Sequence, residues 1–214
     1  MASWRTEPER VAGTWHAYRQ VSPRWPPLYH AAGEPIPSQS AGRWHASGQG
    51  YAQYLALEPL GAWAELVRYE GIRDAERAGQ YRRRLWLVVV RERDIADLST
   101  FERFAACGLD PALAIGPHTP ARALAQELRE AGYRGLLAPS AALPGATNLT
   151  LFGPRFEKVL LGGLEAWDNP APDAFVPCSL VAEAGPPAEL LTATRFPDMD
   201  HEGYLRWFAA QANR

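Results

Sequence analysis

Apolar residues along this 214-residue chain recur with two spacings, and prolines and glycines mark where one gives way to the other. Helical spacing is clearest in two places. Pro59 opens a helix running to about Glu70 and stopping at Gly71. Leu60, Trp63, Ala64 and Val67 share one face of it, while Gly61 and Glu65 lie roughly 100–140° from Leu60. Thr119-Pro120 starts the second, with Ala121, Leu124, Ala125 and Leu128 as its core stripe and Gly132 as its stop. A last helix is predicted over 200–212. Strands are predicted at 16–21, 51–56, 135–138, 148–152 and 156–161. The unbroken apolar run 85–90 reads as a strand buried on both faces. Residues 1–14 are polar and read as a loose arm or short helix. Pro23, Pro26, Pro27, Pro35 and Pro37, with Gly33, make 22–41 a long loop.

These elements predict an α+β fold, with mixed sheets and flanking helices in one domain over 1–214. No repeats occur, and strands and helices do not alternate regularly enough for a doubly wound sheet. Hydrophobic residues at 47% and charged residues at 21% are those of an ordinary globular chain. The net charge of -2 argues against nucleic acid as a partner. Two cysteines, no apolar stretch of membrane length and no apolar leader predict a reduced, cytoplasmic protein without a membrane partner. Lys158 is the only lysine among 22 basic residues. Coding bias explains most of that skew, yet every other fixed cation is a planar fork suited to phosphates and carboxylates.

Most familiar catalytic signatures are missing. Gly42, Gly48 and Gly50 form no phosphate loop, and Ser140 in Pro139-Ser140-Ala141 lacks a hydrolase elbow. Asp198, Asp200, His201 and Glu202 read as a helix start with acids at its positive end, not as metal ligands; no metal is predicted. The segment from Gly42 to Glu65 differs. Arg43 sits in a glycine-bounded turn, Tyr54 on the following strand and Glu65 on the following helix. Downstream, Pro139-Ser140-Ala141 precedes Asn148-Leu149-Thr150-Leu151-Phe152. Taken singly, these are a turn arginine, a packed strand aromatic, a helix glutamate free to pair with Arg68, and a strand-end serine.

In this order, the motifs GRWHASG, YAQYLA, AWAE and PSA ahead of NLTLF resemble the RES family over residues 17–162, leaving 164–214 as a C-terminal extension ending in a helix. The resemblance implies an ADP-ribosyltransferase-like fold and a toxin of a bacterial toxin–antitoxin pair. Such a toxin consumes NAD as substrate, with no resident cofactor, by hydrolysis, phosphorolysis or ADP-ribosyl transfer. It implies a helix-turn-helix antitoxin as partner and leaves homo-oligomers open. Arg43, Glu65 and Ser140 match the family's catalytic positions. Tyr54 matches the aromatic lining the nicotinamide pocket, and Arg19 an early strand arginine that binds substrate. His45 stands where many members have Asn, adding a titrating group. The alternative is a non-catalytic nucleotide- or protein-binding module on the same scaffold.

A carboxylate suits the implied chemistry. Cleavage of the nicotinamide–ribose bond builds positive charge on the ribose, which a fixed carboxylate stabilises. A guanidinium can hold the pyrophosphate through paired N–H groups.

Overall fold

The computed structural model describes residues 3–29, 39–159 and 175–212. Its organising strand is β3 (Arg83–Asp97), fifteen residues long. Along one edge it pairs antiparallel with β1 (Arg10–Val21), from Arg10 opposite Ala96 to Val21 opposite Arg84. Its other edge is divided. β7 (Phe175–Ala184) pairs antiparallel with residues 83–88, and β4 (Gly135–Pro139) pairs parallel with residues 95–97. β5 (Thr147–Phe152) lies between β4 and β2 (Ala52–Ala56), antiparallel to both. Tyr18 meets Ala56, so the pairings run through β1, β2, β5, β4 and β3 back to β1. β6 (Phe156–Val159) adds a parallel outer strand on β7.

The helices follow local signals. α1 (Pro59–Glu70) carries its proline in the first turn, where a missing N–H costs nothing, and ends at Gly71 with φ 62°, a left-handed conformation glycine adopts freely. α2 (Ala75–Gly79) and α3 (Phe101–Ala106) start at Asp74 and Thr100, whose side chains accept from the third residue onward. A 3₁₀ turn (Pro111–Ala114) leads into α4 (His118–Glu130), which buries Ala121, Leu124, Ala125 and Leu128 as its spacing predicts. α5 (Leu190–Ala193) and α6 (Glu202–Ala212) follow β7.

Three apolar clusters divide between the two faces of the sheet. Ala17, Leu55, Val88, Ile95, Leu137, Leu149 and Leu151 pack on one face. Their neighbours in sequence point the other way. Ala56 packs with α1, and Leu136, Ala138 and Phe152 pack with α3 and α4. The candidate site forms where these last two clusters meet.

The α+β expectation holds, with several corrections. The strands form one hydrogen-bonded network among the described residues, not separate sheets. β1 begins at Arg10, inside the predicted arm, because Val11, Gly13 and Trp15 alternate inward with exposed Arg10, Ala12 and Thr14. β3 extends well beyond 85–90, through charged residues that face solvent or pair: Arg83 with Glu70, Arg84 with Glu183. β7, α2, α3 and the 3₁₀ turn are absent from the predicted set. Leu60 is exposed, while α1 also buries Gly61, Ala62 and Leu66 because Leu190 and Phe196 pack in the same cluster. α4 starts at His118 after Pro117, leaving Thr119 inside the first turn. Much of the proline-rich loop, and the end of the strand predicted at 156–161, lie outside the described residues. Both cysteines are free and buried, and no described helix is long and apolar enough to cross a membrane.

Close packing between β4 and β5 makes the register testable. A Cβ on Gly135 would sit 2.3 Å from the Thr150 carbonyl oxygen and 3.2 Å from the Leu151 Cα, both backbone atoms of the paired strand. Gly135→Ala is expected to destabilise the fold by about 3 kcal/mol, read as a lower denaturant midpoint at unchanged slope. An unshifted midpoint would contradict this strand pairing.

Candidate active site

Glu65 projects from the middle of α1 and is half-buried. Its Oε1 accepts two hydrogen bonds, from Ser140 Oγ at 2.8 Å and from Asn148 Nδ2 at 2.7 Å. Ser140 follows β4 directly, and Asn148 lies on β5. Ala138 lies opposite Asn148 in the ladder, and Ser140 N donates to the Ala146 carbonyl to close the turn. Ser140 is fully buried, and its Oγ also accepts from the backbone N–H groups of Ala142 and Leu143, at 3.1 Å each. The hydroxyl hydrogen is thereby directed at the carboxylate. Both donors are on Oε1, and no described protein group donates to Oε2.

Gly61 lets α1 close on β2, where a Cβ would come 3.1 Å from that of Ala56. The alternative of Glu65 pairing with Arg68 is not realised, since Arg68 Nη1 donates instead to the Arg195 carbonyl.

The turn from Gly42 to His45 packs against α4 and β2. Tyr54 Oη accepts from Trp44 N at 2.8 Å and lies 3.0 Å from His45 Nδ1. Gly42 N, which can only donate, also contacts His45 Nδ1 at 3.3 Å, so that nitrogen is the acceptor and Tyr54 donates to it. From α4, Arg122 Nε donates to the Gly42 carbonyl at 2.7 Å and Arg129 Nη2 to that of Trp44 at 3.3 Å. Two arginines a heptad apart thus hold the turn from one helix face.

This turn sets the position of Arg43. Its guanidinium donates to the carbonyls of Gly116 at 2.6 Å, Ile115 at 3.3 Å and Leu113 at 3.4 Å, at the end of the 3₁₀ turn. Burial pushes Arg43 down to about 10, against the attraction of Glu65 and with the repulsion of Arg68. It remains a cation at neutral pH. Burial also lowers Arg68 and His118, and His118 is repelled by Arg43, Arg122 and Arg68. A half-buried carboxylate therefore lies in a field of arginines. Burial pushes the Tyr54 phenol up to about 12, keeping it a neutral donor.

Of the five residues singled out by sequence, Arg43, Tyr54, Glu65 and Ser140 come together and Arg19 does not. Arg19 Nη1 donates to Gln53 Oε1 at 3.2 Å, and its guanidinium covers the Tyr29 ring at 4.6 Å. Gln53 precedes Tyr54 on β2 and points to the opposite face, where it also bonds the Tyr29 and Gly153 backbone. The strand's alternation separates Arg19 from the carboxylate. The Tyr54 hydroxyl holds the Arg43 turn. Asn148 was legible only as part of NLTLF; it sits opposite Ala56 and Ala138, on the face turned toward α1. His201 contacts Ser140 from just before α6, far along the chain, with no local signal. Asp198 pairs with Arg73, and Glu202 with Arg195, so the acids near α6 go to separate partners.

Two measurements check this geometry. A Cβ on Gly42 would lie 2.4 Å from Tyr54 Oη. Gly42→Ala is therefore expected to displace the phenol and cost about 1–3 kcal/mol, seen in thermal unfolding. The second concerns pH. His45, His118 and His201 are all held below the ordinary value of 6.5, chiefly by burial. The unfolded chain takes up protons first, so the stability contributed by the neutral rings is complete above about pH 6.5 and lost as pH falls through the lower folded values. Calorimetry should show a flat Tm above about pH 7 and a fall as pH drops below about 6.5, shallower in His201→Gln. A Tm that rises on acidification would contradict the assignment.

The RES domain profile matches residues 9–169, which include Arg43, Tyr54, Glu65, Ser140 and Asn148. A relative named as a probable NAD(+) phosphorylase of Mycobacterium tuberculosis is 33% identical over 117 residues, 54% of this chain and 55% of that protein. The chain thus spans about half the length of this curated relative. The crystal structure of the M. tuberculosis MbcT–MbcA toxin–antitoxin complex holds a chain of similar fold, with a TM-score of 0.57 at 18% identity over 86% of this chain and 90% of that one. With the profile match extending over most of its length, the chain belongs to the RES domain family.

Proposed function

We propose that the protein consumes NAD by breaking its nicotinamide–ribose bond at Glu65. The observation that carries this reading is the Glu65 carboxylate, held through one oxygen by Ser140 and Asn148 and set in the field of Arg43. As the bond lengthens, the ribose becomes oxocarbenium-like, and a carboxylate already oriented stabilises it without reorganising. Each donor to Oε1 makes a charge-assisted hydrogen bond to the carboxylate. Three of the five Arg43 N–H groups are taken by carbonyls, leaving two to meet a pyrophosphate oxygen. Because the guanidinium is fixed in advance, little side-chain entropy is lost when the dinucleotide binds.

The M. tuberculosis relative's name supports phosphate as the acceptor. The reaction is then NAD plus inorganic phosphate to nicotinamide plus ADP-ribose phosphate, the phosphate oxygen forming the bond to the ribose carbon that nicotinamide leaves. The toxin–antitoxin complex of similar fold supports a toxin restrained by a partner protein. We place that pair in the cytoplasm, where NAD is available, with a helix-turn-helix antitoxin as the restraining partner.

Purified protein, freed of any partner and incubated with NAD and phosphate, is expected to release nicotinamide. Glu65→Gln keeps the shape and removes the charge, and is expected to lower turnover on the order of 10²–10³-fold. Arg43→Ala is expected to raise KM and lower kcat together. Chromatography of the products distinguishes ADP-ribose from its phosphate. NAD left intact by the wild type, with phosphate, water or protein acceptors supplied, overturns this reading.

A further inference from the structure

His201 stands outside the residues that match the RES profile, yet it is buried against the candidate site. Its Nε2 lies 3.0 Å from the Ser140 carbonyl oxygen, and its Nδ1 accepts from the Tyr204 backbone N–H at 3.2 Å. A carbonyl can only accept and a backbone N–H can only donate. The ring is therefore the neutral tautomer with its proton on Nε2. Phe101 meets it edge to face, with centroids 5.6 Å apart. The surrounding chain is tied to the same region. Arg195 N donates to the Ala142 carbonyl, Arg68 to the Arg195 carbonyl, and Arg195 pairs with Glu202. Residues 195–202 thus join the turn after Ser140 to α1, the two elements that carry Ser140 and Glu65.

We propose that His201 is a positioning residue for this site: by donating to the Ser140 carbonyl it fixes the orientation from which Ser140 Oγ reaches Glu65. Every polar atom of Ser140 is then engaged, its N–H by Ala146, its carbonyl by His201 and its hydroxyl by Glu65, Ala142 and Leu143. Only the His201 contact comes from the segment beyond the RES match, so a sequence matched over 9–169 alone lacks part of what orients its serine. The inference rests on the reading of Glu65 as the carboxylate that supports NAD cleavage.

Two substitutions separate positioning from capping. Asn at 201 places an oxygen near the Nδ1 position, keeping the cap on α6 while losing the donor to Ser140. Gln at 201 extends an amide N–H to the Nε2 position, keeping that donor and losing the cap. His201→Asn is expected to lower kcat roughly ten-fold or more at little-changed KM for NAD, and to speed hydrogen exchange at the Ala142 and Leu143 amides. His201→Gln is expected to recover both. Exchange reads the serine turn without turnover, so the two readings fail separately. Wild-type protein that leaves NAD intact overturns the NAD assignment alone. Protection in His201→Asn equal to wild type, or loss of protection alike in both variants, overturns the positioning role.

Discussion

The two-partner edge of β3 is the constraint on which the rest of the molecule depends. A fifteen-residue strand cannot be matched along one edge by either β4 or β7, which are five and ten residues long. The edge is divided between them, and its middle, residues 89–94, has no strand partner on that side among the described residues. Glu92 lies in this interval and is buried. Its Oε2 accepts from Arg134 Nε and Arg155 Nη2, at 2.7 Å each. A carboxylate there is tolerable only because two guanidiniums meet it. Since β4 joins β3 only at residues 95–97, it carries β5 with it toward β2, and the turn after β4 arrives beside α1. The position of Ser140 relative to Glu65 follows from that divided edge.

The same logic of fixed donors governs the site. Glu65 has two neutral donors on one oxygen and arginines around it, which orients the carboxylate without neutralising it in an ion pair. Arg43 is held by neutral carbonyls, so its charge is preserved. Tyr54, His45, Arg122 and Arg129 contribute one remove away, by holding the turn that aims Arg43. Much of the polar work is thus spent on orientation. Such orientation suits the proposed cleavage, in which charge develops at a single carbon.

Local chemistry made some of this legible. Pro59 and Gly71 bound α1 because each acts on its own backbone, and the α4 stripe is readable because packing repeats every turn. The amino-terminal half of β1 was not legible as a strand, because its exposed face is polar and its partner is over seventy residues away. β7 failed for a similar reason: Leu180 and Val181 are exposed, and the strand exists by pairing with β3 and β6. Arg19 lies apart from the other four because a motif gives order, whereas the face a side chain takes depends on the register of the strands around it.

Sequence alone determined the fold class, both principal helices and the four residue types that meet at the site, since these follow from local periodicity, turn chemistry and motif order. The tertiary structure decided which atoms meet. It put Ser140 and Asn148 on one oxygen of Glu65, turned Arg19 to the other face of the sheet, and brought His201, just before the last helix, to the Ser140 carbonyl. Such contacts depend on how strands sharing β3 are registered and on where a distant segment packs. No local window of residues contains that information.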